Sequence, residues 1–468
     1  CLASPAPCLL VCEGPNSEFL FAQFPNLAPL IDRIGGSLIG VIGDWRPPEV
    51  WVHDTEEAEP NQERVPVDDP RLQFTLGLRA AGAHDGVVFM GGPTIIGIGL
   101  QLFAFDAQTK ELIGARTFPQ YSNVRRFIEV GNHLYVGVQN TAGGGSVLRW
   151  KGSRSQPFNF ETVGKLDNEV AYLAVFDDRL LATTWTPTPL SSAAGLADGS
   201  GLSSPGLWVS PRIPSFGLRW WHSKWWSKIW DLSDYEPDPV IAAWSGLGDL
   251  RQFGDCVYFG SMHPPFSGFT GLTREYGTST DPAALEQAQQ NSRRALAFFR
   301  GCKSRRGPYF ELLYGEEELP VFVATPNGAP GEGSWVLTAT GMGPPVFGGS
   351  GFNNTGNPDD PDSRAQIYTW SMGFLDGQLC VGTQENTDSA STPPSKPGAD
   401  LWCFPDSFSP AAALDQEGLG NSANSGYRNI ERIGESLYLA TSNGQNLSNF
   451  PFPIGGFEVI RLDPPVSP

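Results

Sequence analysis

The sequence predicts an all-β fold, a seven-bladed β-propeller with loop insertions and one short helix. Three observations lead to this prediction: a phrase that recurs seven times, turn residues inside each copy, and a third apolar strand after most copies. Each copy is an apolar strand, a turn with Gly or an acidic residue, and a second apolar strand. The copies are IDRIGGSLIGVIGD (31–44), AAGAHDGVVFMGG (80–92), FIEVGNHLYVGVQN (127–140), LAVFDDRLLATTWT (173–186), LRQFGDCVYFGSMH (250–263), MGFLDGQLCVGTQEN (372–386) and IERIGESLYLATSNG (430–444).

Alternation and turn chemistry identify the two strands of each copy as a β-hairpin. Apolar and polar residues alternate, which is the period of a half-buried strand. Gly131-Asn132 and Asp376-Gly377 occupy positions where a two-residue hairpin requires positive φ. The first four copies begin about 45 to 50 residues apart, a spacing typical of propeller blades.

A third strand extends each hairpin towards a complete blade. The third strands are PEVWVHD (48–54), LQLFAFD (100–106), SVLRWKG (146–152), GLWVSP (206–211), ALAFFRG (295–301), ADLWCFP (399–405) and FEVIRLD (457–463). One such unit cannot bury both faces of its sheet, so adjacent units must pack face to face, and a ring removes exposed edges. We expect Phe19–Phe24 to complete the last blade. An eighth blade, from Pro320–Val323 and Trp335–Thr338, is the alternative to seven.

The repeats divide the chain into residues 1–18, an N-terminal tether, residues 19–463, the propeller, and residues 464–468, a C-terminal tail. Three insertions interrupt the propeller. Thr186–Gly206 is rich in Ser, Gly, Ala and Pro, which indicates a surface loop, and Ser304–Arg364 is the longest insertion. His263–Arg294 contains the predicted helix, with Asp281 as its N-cap and Pro282 in its first turn. Insertions of this kind commonly carry binding.

Composition limits the classes of partner. The chain has 468 residues, 12% of them aromatic, and a net charge of -19, so it can build a core and is not disordered as a whole. The negative charge argues against nucleic acid or anionic lipid bound through a basic face, and it is compatible with solubility alone or with a cationic partner. We therefore expect no nucleic-acid partner and no cofactor, apart from a structural Ca²⁺ discussed below.

Seven cysteines carry information through their positions. Cys256 and Cys302 lie on the second and just after the third strand of one repeat, and Cys380 and Cys403 lie at corresponding places in the next clear copy. Neighbouring antiparallel strands bring such residues within disulfide range. Two disulfides are therefore predicted, Cys256–Cys302 and Cys380–Cys403, and with them an oxidising compartment. A small-loop bridge between Cys8 and Cys12 is a third candidate, and buried free thiols are the alternative.

The N-terminal residue, Cys1, has no partner in this scheme. A chain that begins with Cys, followed by LASPAP, resembles a mature bacterial lipoprotein, whose first cysteine is acylated. The resemblance implies lipidation of Cys1, which would anchor the protein without crossing the membrane. It also implies a bacterial location outside the cytoplasm, on the outer membrane and facing the periplasm or the cell surface. The alternative is an arbitrary start of the chain.

The segment RWWHSKWWSKIW (219–230) concentrates tryptophan beyond what one blade strand needs to bury. Its tryptophans are Trp220, Trp221, Trp225, Trp226 and Trp230. Because indole rings cover much area at low entropic cost, one interpretation is a docking surface for a protein partner, lipid headgroups or a glycan. The other interpretation is an outer strand packed between blades, with the cationic side chains lying over the rings.

Candidate chemistry elsewhere is sparse. The acidic stretch with Asp359, Asp360 and Asp362 offers the carboxylate oxygens that Ca²⁺ prefers, but a solvated turn is the alternative and the EF-hand spacing is absent. The five histidines show no metal-binding spacing. No nucleophile elbow, dinucleotide-binding glycine pattern, phosphate-binding loop or haem motif occurs, so we predict no catalytic residue.

With the repeats laid out, the chain resembles a group of secreted bacterial β-propeller repeat proteins with blades of the YTWSM, LYVGT and GAELWRF type. The matching residues are Tyr368–Met372, Gly377–Thr383 and Gly398–Phe404, with Gly351-Phe352 and Asn357-Pro358 echoing a preceding GFGNP element. The match is close over one blade and recognisable over about three more. These motifs mark strands and turns, so the resemblance implies a fold and no particular reaction.

The leading functional hypothesis is an exported, lipid-anchored propeller that acts as a non-catalytic interaction or scaffold subunit of a larger surface or membrane-associated assembly. Its partners would be proteins, with the membrane contacted through the lipid on Cys1. The alternative is a propeller that binds or cleaves carbohydrate in its central funnel, which would need facing carboxylates near aromatic rings.

Overall fold

The protein is a seven-bladed β-propeller in the computed structural model, which describes residues 2–3, 8–13, 48–54, 62–75, 77–94, 99–186, 203–264, 267–305, 307–349, 365–385, 397–443 and 458–464. Seven successive antiparallel sheets follow the chain, six with four strands and the last with three described strands. The seven predicted third strands all occupy the third position of their sheets.

The first four blades take up the N-terminal half of the chain. Blade 1 contains β1 (Leu2–Ala3), β2 (Cys8–Glu13), β3 (Glu49–Asp54) and β4 (Gln62–Val65); blade 2 contains β5 (Ala80–His84), β6 (Val87–Pro93), β7 (Leu100–Asp106) and β8 (Leu112–Phe118); blade 3 contains β9 (Tyr121–Val130), β10 (His133–Asn140), β11 (Gly145–Trp150) and β12 (Phe160–Leu166); blade 4 contains β13 (Glu169–Phe176), β14 (Arg179–Trp185), β15 (Gly206–Val209) and β16 (Ser227–Asp231).

The remaining blades are interrupted by helices and one extra hairpin. Blade 5 contains β17 (Gly246–Phe253), β18 (Cys256–Met262), β19 (Phe298–Cys302) and β20 (Tyr309–Tyr314); a separate hairpin pairs β21 (Glu318–Ala324) with β22 (Gly333–Ala339); blade 6 contains β23 (Gln366–Leu375), β24 (Gln378–Glu385), β25 (Leu401–Phe404) and β26 (Ala412–Asp415); blade 7 contains β27 (Asn424–Ile433), β28 (Ser436–Asn443) and β29 (Val459–Leu462).

The eighth blade, kept as the alternative to seven, does not exist among the described residues. Its two segments form the β21–β22 hairpin, whose strands pair only with each other there. The prediction of one short helix is also wrong. The described part of the chain contains α1 (Pro239–Ala243), α2 (Ser267–Tyr276) and α3 (Pro282–Asn291), and 3-10 turns at Pro70–Phe74, Trp220–Lys224 and Leu232–Asp234. The predicted helix is α3, and Asp281 caps it by accepting a hydrogen bond from the Ala283 N–H.

The core lies between successive blades rather than inside any one of them. Strands such as β7, β11 and β18 are buried at every position, so both faces of these sheets are covered. Separate apolar clusters fill the spaces between blades 1 and 2, 2 and 3, and so on to blades 6 and 7. Face-to-face packing of repeats, predicted from the alternation of the strands, is therefore confirmed.

The first strands of blades 2 to 7 lie side by side in chain order. Single backbone pairs also join the second strand of one blade to the first strand of the next: Trp185 with Gly246, Met262 with Tyr368, and Gln384 with Gly426. The Arg126 guanidinium of blade 3 reaches the Glu431 carboxylate of blade 7 at 2.8 Å. The first strands therefore surround a central axis.

The N-terminal segment differs from its predicted role as a tether. Residues 8–13 form β2, which pairs with β3 in blade 1. Cys8 and Cys12 are paired with Asp54 and Val50, four positions apart on one extended strand. The side chains of these two residues lie outside the described part of the chain, so the candidate Cys8–Cys12 bridge stays a prediction. Cys1, the strand expected at Phe19–Phe24 and the first repeat copy lie outside the described residues.

Both predicted blade disulfides are present. Cys256 and Cys302 lie directly opposite each other on β18 and β19, and their sulfur atoms are bonded. Cys380 and Cys403 occupy the equivalent positions on β24 and β25. Each bond therefore joins the second and third strands of one blade, in blades 5 and 6.

A buried ion pair ties the insertions of the blade 4–5 region together. Glu236 receives two hydrogen bonds from Arg294, at 2.6 and 3.0 Å, and both side chains are almost completely buried. Arg294 also donates to the Pro320 carbonyl oxygen at the start of the β21–β22 hairpin. Asp238 caps α1 and accepts a hydrogen bond from the Phe322 N–H.

We predict that Glu236→Gln lowers stability by about 3 kcal/mol, because it leaves the Arg294 charge buried without its counter-ion. The melting temperature, measured by differential scanning fluorimetry, should fall by several degrees. Glu435→Gln is the matched control, since it removes a carboxylate that pairs with Arg432 on the exposed surface. An equal melting temperature for the two variants would show that the pair does not hold these segments together.

Candidate functional site

The tryptophan-rich segment first crosses the outer strand of blade 3 and then forms the outer strand of blade 4. The 3-10 turn Trp220–Lys224 packs on β12, and the chain then continues into β16 of blade 4. Leu218, just before the turn, is fully buried; its N–H donates to the Tyr135 hydroxyl and its carbonyl oxygen accepts from Arg149. Gly217 has a φ of +74°, a conformation that favours glycine.

The five tryptophans of the segment do not share one role. Trp226 and Trp230 are 7% and 4% exposed. The Trp226 indole N–H donates to the Val163 carbonyl oxygen, and the ring lies against Gly164, where a Cβ would come within 3.0 Å of it. Trp230 packs among Phe259, Phe299 and Phe310 in the core between blades 4 and 5. For these two residues the structural interpretation is correct.

The other three indoles face solvent. Trp220, Trp221 and Trp225 are 65%, 43% and 60% exposed, and we call these three residues the indole patch. Trp220 and Trp221 meet edge to face, with ring centroids 5.6 Å apart. Three neighbouring exposed indoles are unusual, because large aromatic side chains are mostly buried in folded proteins and exposed apolar patches commonly mark binding sites.

The backbone under the indole patch is held by His222. This side chain is buried between Trp221 and Trp225, with ring centroids 5.5 and 5.4 Å away. Its Nδ1 atom accepts a hydrogen bond from the Arg219 N–H at 2.8 Å, which requires an unprotonated Nδ1. Burial lowers the pKa of His222, while the Glu161 carboxylate opposes that shift. The neutral imidazole therefore closes the turn.

Basic side chains border the indole patch. Lys224 is exposed, and Arg219 lies 5.8 Å from the centroid of the exposed Phe216 ring. Glu161 accepts a hydrogen bond from the Trp220 N–H and lies 4.0 Å from Arg219. In a chain of net charge -19, this patch combines aromatic surface with local positive charge.

A second group of residues, which includes three arginines, lies at the central axis and was not predicted from the sequence. Five first strands carry a register irregularity at the same position, and the residues there are Arg125, Ala171, Gly248, Trp370 and Arg428. The equivalent residue of blade 2 is Arg79, immediately before β5. β-Bulges re-aim side chains, and here they repeat from blade to blade.

One sequence signal identifies these arginines. Arg79, Arg125 and Arg428 each lie six residues ahead of a turn residue with positive φ, namely Asp85, Gly131 and Gly434. An alignment of the copies on their turns, rather than on their apolar residues, would therefore have placed three arginines at one position.

The carboxylates near the axis are held by protein donors. Glu169 is fully buried and accepts hydrogen bonds from Asn123 at 2.6 Å and Arg125 at 3.1 Å. Asp249 is fully buried and accepts from the Leu250 and Met372 N–H groups, each at 2.8 Å. Burial raises the pKa of Asp249, and the charges of Arg251 and Arg126 oppose this shift.

The described residues provide little for a metal or a membrane span. In the described ranges, no three His, Cys, Asp or Glu side chains come together in a group that could hold a metal ion. Asp359, Asp360 and Asp362, the predicted Ca²⁺ ligands, lie outside those ranges. Among the described helices, none is both long and apolar enough to cross a membrane.

Comparison with known proteins gives no family. No family model and no curated protein matches the chain. The solved structures that it resembles include a hypothetical selenium-binding protein from Sulfolobus tokodaii, with a TM-score of 0.46, 10% identity, and coverage of 90% of this chain and 87% of that one. Hydrazine synthase from Kuenenia stuttgartiensis has a TM-score of 0.46, 9% identity and coverage of 90% of both chains. The β-propeller domain of the Trilobed protease from Pyrococcus furiosus has a TM-score of 0.34, 9% identity, and coverage of 80% and 75%.

We predict that His222 titrates below the usual histidine pKa of about 6.5, because burial disfavours the imidazolium. Between the ordinary and the lowered pKa, the unfolded chain binds a proton that the folded turn does not. Stability is therefore full above pH about 6.5 and falls as the pH decreases through this window.

The measurement is an NMR titration of ¹³C-labelled imidazoles, in which the His222 signal is assigned by its absence from His222→Gln. The same histidine in the urea-unfolded protein provides the reference pKa. A folded pKa equal to or above the unfolded one would mean that the neutral ring does not close the turn.

Proposed function

We propose that the protein is an exported, non-catalytic interaction module that binds a partner protein through the indole patch. The observation that carries this proposal is the exposure of Trp220, Trp221 and Trp225 on a turn whose backbone and neighbours are fixed. Tryptophan is among the residues most enriched at binding hot spots, where a covered indole contributes about 2 kcal/mol or more.

Rigidity of the turn favours binding. The Trp225 N–H donates to the His222 carbonyl oxygen, and the His222 N–H donates to the Arg219 carbonyl oxygen, both at 2.9 Å. Trp226, the next residue, is buried in blade 3. The three exposed rings therefore lose little backbone freedom when a partner covers them, which lowers the entropic cost of association.

Charge favours a protein over an anionic membrane as the occupant of the patch. The chain carries a net charge of -19, so a bilayer of anionic lipid would repel most of its surface. Lys224 and Arg219 at the patch match a partner that presents an apolar groove with an acidic rim. Anchoring to a membrane belongs, in this proposal, to a lipid on Cys1.

The location outside a reducing cytoplasm is supported by the two blade disulfides, since such bonds persist in oxidising compartments. Lipidation of Cys1, placement on an outer membrane and kinship with secreted bacterial propeller proteins remain parts of the same proposal. Ca²⁺ binding by Asp359, Asp360 and Asp362 is a separate proposal that rests on their sequence alone.

Carbohydrate cleavage at the axis finds no support in the described residues. It would need two carboxyl groups that face a substrate. Glu169 and Asp249 are fully buried and accept hydrogen bonds from protein donors. Glu431 pairs with Arg126. These contacts favour structural roles for the three carboxylates.

We predict that Trp220→Ala, Trp221→Ala and Trp225→Ala together weaken partner binding at least about 100-fold, since three hot-spot rings are removed. The melting temperature should fall by no more than a few degrees, because the rings lie on the surface, although Trp221 and Trp225 also cover His222. Trp226 is left unchanged, since its ring is buried.

The partner is first identified by cross-linking from Lys224 in native material, and its affinity for each variant is then measured with purified components. Phe74→Ala with Phe408→Ala is the matched control, because both rings are exposed and lie on other blades. Wild-type affinity in the triple variant would refute docking through the indole patch.

A further inference from the structure

One edge of the inserted β21–β22 hairpin is closed by neighbouring side chains. Arg294 donates to the Pro320 carbonyl oxygen at 2.8 Å, and the Asp238 carboxylate accepts from the Phe322 N–H at 3.0 Å. Both of these backbone groups belong to β21 and point away from β22. Pro320 also has no N–H to offer. The outer edge of β21 is therefore not available to a further strand.

The opposite edge of the hairpin, along β22, is open. The Thr340 N–H donates to the Glu317 carbonyl oxygen at 2.8 Å, and hydrogen-bonded pairs alternate with non-bonded pairs along antiparallel strands. This alternation determines which residues of β22 turn their N–H and C=O groups away from β21: Gly333, Trp335, Leu337 and Ala339. Within the described ranges, β22 pairs with no strand other than β21. A row of unpaired backbone donors and acceptors therefore faces outwards.

The sequence of β22 lacks the residues that usually protect a sheet edge. The strand, GSWVLTA, contains no charged residue and no Pro, whereas Val336 and Leu337 are 48% and 62% exposed. The outer strands of blades 1 to 6 each carry a charge, at Arg64, Arg116, Glu161, Lys228, Glu311 and Asp415. Charges on an edge strand disfavour pairing with another chain. The edge of β22 is therefore the more receptive one.

Carboxylates flank β22 at both ends and indicate the charge of its occupant. Glu332 directly precedes the strand, and Glu318 lies opposite Ala339 at the other end, beside Glu317; all three carboxylates are on exposed residues. A second copy of β22, laid antiparallel on the first, would bring Glu332 of one copy towards Glu317 and Glu318 of the other. Like charges across strands are destabilising. The charges therefore disfavour a second copy and favour a strand with cationic ends.

We propose that the open edge of β22 binds an extended segment of a partner protein, which adds to the hairpin as a third strand. Backbone hydrogen bonds to the four outward-facing residues provide the affinity, and the exposed Val336 and Leu337 side chains contact apolar residues of the segment. The segment has Lys or Arg near both ends, because the flanking carboxylates are about 20 Å apart along the strand. This site lies on the inserted hairpin and the indole patch on blade 3, so neither proposal depends on the other.

The test uses the full-length protein and a nine-residue peptide with lysine at each end and alternating valine and threonine between them. Fluorescence anisotropy of the labelled peptide should show saturable binding of one peptide per chain. Hydrogen exchange of residues 333–339, measured by mass spectrometry, should slow when the peptide is bound, because it pairs with their free N–H groups. The control peptide has proline at two adjacent central positions, which removes a donor on each of its edges, and should bind at least tenfold more weakly.

Two substitutions of Leu337 separate the backbone from the side chain. Leu337→Pro removes one outward N–H and no hydrogen bond of the hairpin, so affinity should fall at least tenfold while the melting temperature changes little. Leu337→Ala is the matched control, because it keeps the N–H, and its affinity should stay within about threefold of the wild type.

The proposal would be overturned by equal affinities of the two Leu337 variants, by equal binding of the two peptides, or by no saturable binding to the wild type. If Leu337→Pro does not fold, hydrogen exchange in the wild type decides: slower exchange of residues 333–339 supports strand addition, and unchanged exchange refutes it. Analytical ultracentrifugation tests the other occupant, since a dimer of the wild type that Leu337→Pro abolishes would assign this edge to a second copy and refute the proposal.

Discussion

Burial of both faces of each sheet is the constraint on which the rest of the structure depends. Strands β7, β11 and β18 have no exposed position, so blades 2, 3 and 5 need a neighbouring blade on each side. When sheets pack face to face around an axis, only the ends of their strands and their outer edge strands remain exposed. Binding surfaces are therefore confined to the outer strands, the inserted segments and the axis, and both candidate sites lie in such places.

The repeated phrase was sufficient to predict the blades because turns and alternation are local properties. Cys256 and Cys302 could be paired for the same reason, since neighbouring strands place them opposite each other. The β21–β22 hairpin has the same local pattern as a blade, but blade membership depends on pairing with a third strand, which is a tertiary property. The sequence also could not show which tryptophans are buried and which are exposed. Trp225 and Trp226 are adjacent in the chain, and only the position of β12 decides which of the two rings is covered.

The axial arginines were missed for a different reason. The side chains of Arg125 and Arg428 are re-aimed by bulges, and a bulge shifts the alternation that a sequence pattern relies on. Arg125 and Arg126 show the effect: the two adjacent arginines meet different partners, Glu169 and Glu431. In such a strand, the position of a residue within its repeat predicts the location of its side chain better than the alternation of apolar and polar residues does. Equivalent bulges in different blades place their residues around the same axis.

The central claim is that a rigid propeller presents the indole patch on a fixed turn. Hydrogen exchange measured by mass spectrometry tests it most directly, because Leu218, His222 and Trp225 donate backbone hydrogen bonds beneath exposed rings. The account predicts that a peptide spanning residues 217–226 exchanges as slowly as one from β12. Exchange as fast as that of an unstructured peptide would contradict it, since the indoles would then lie on a mobile loop.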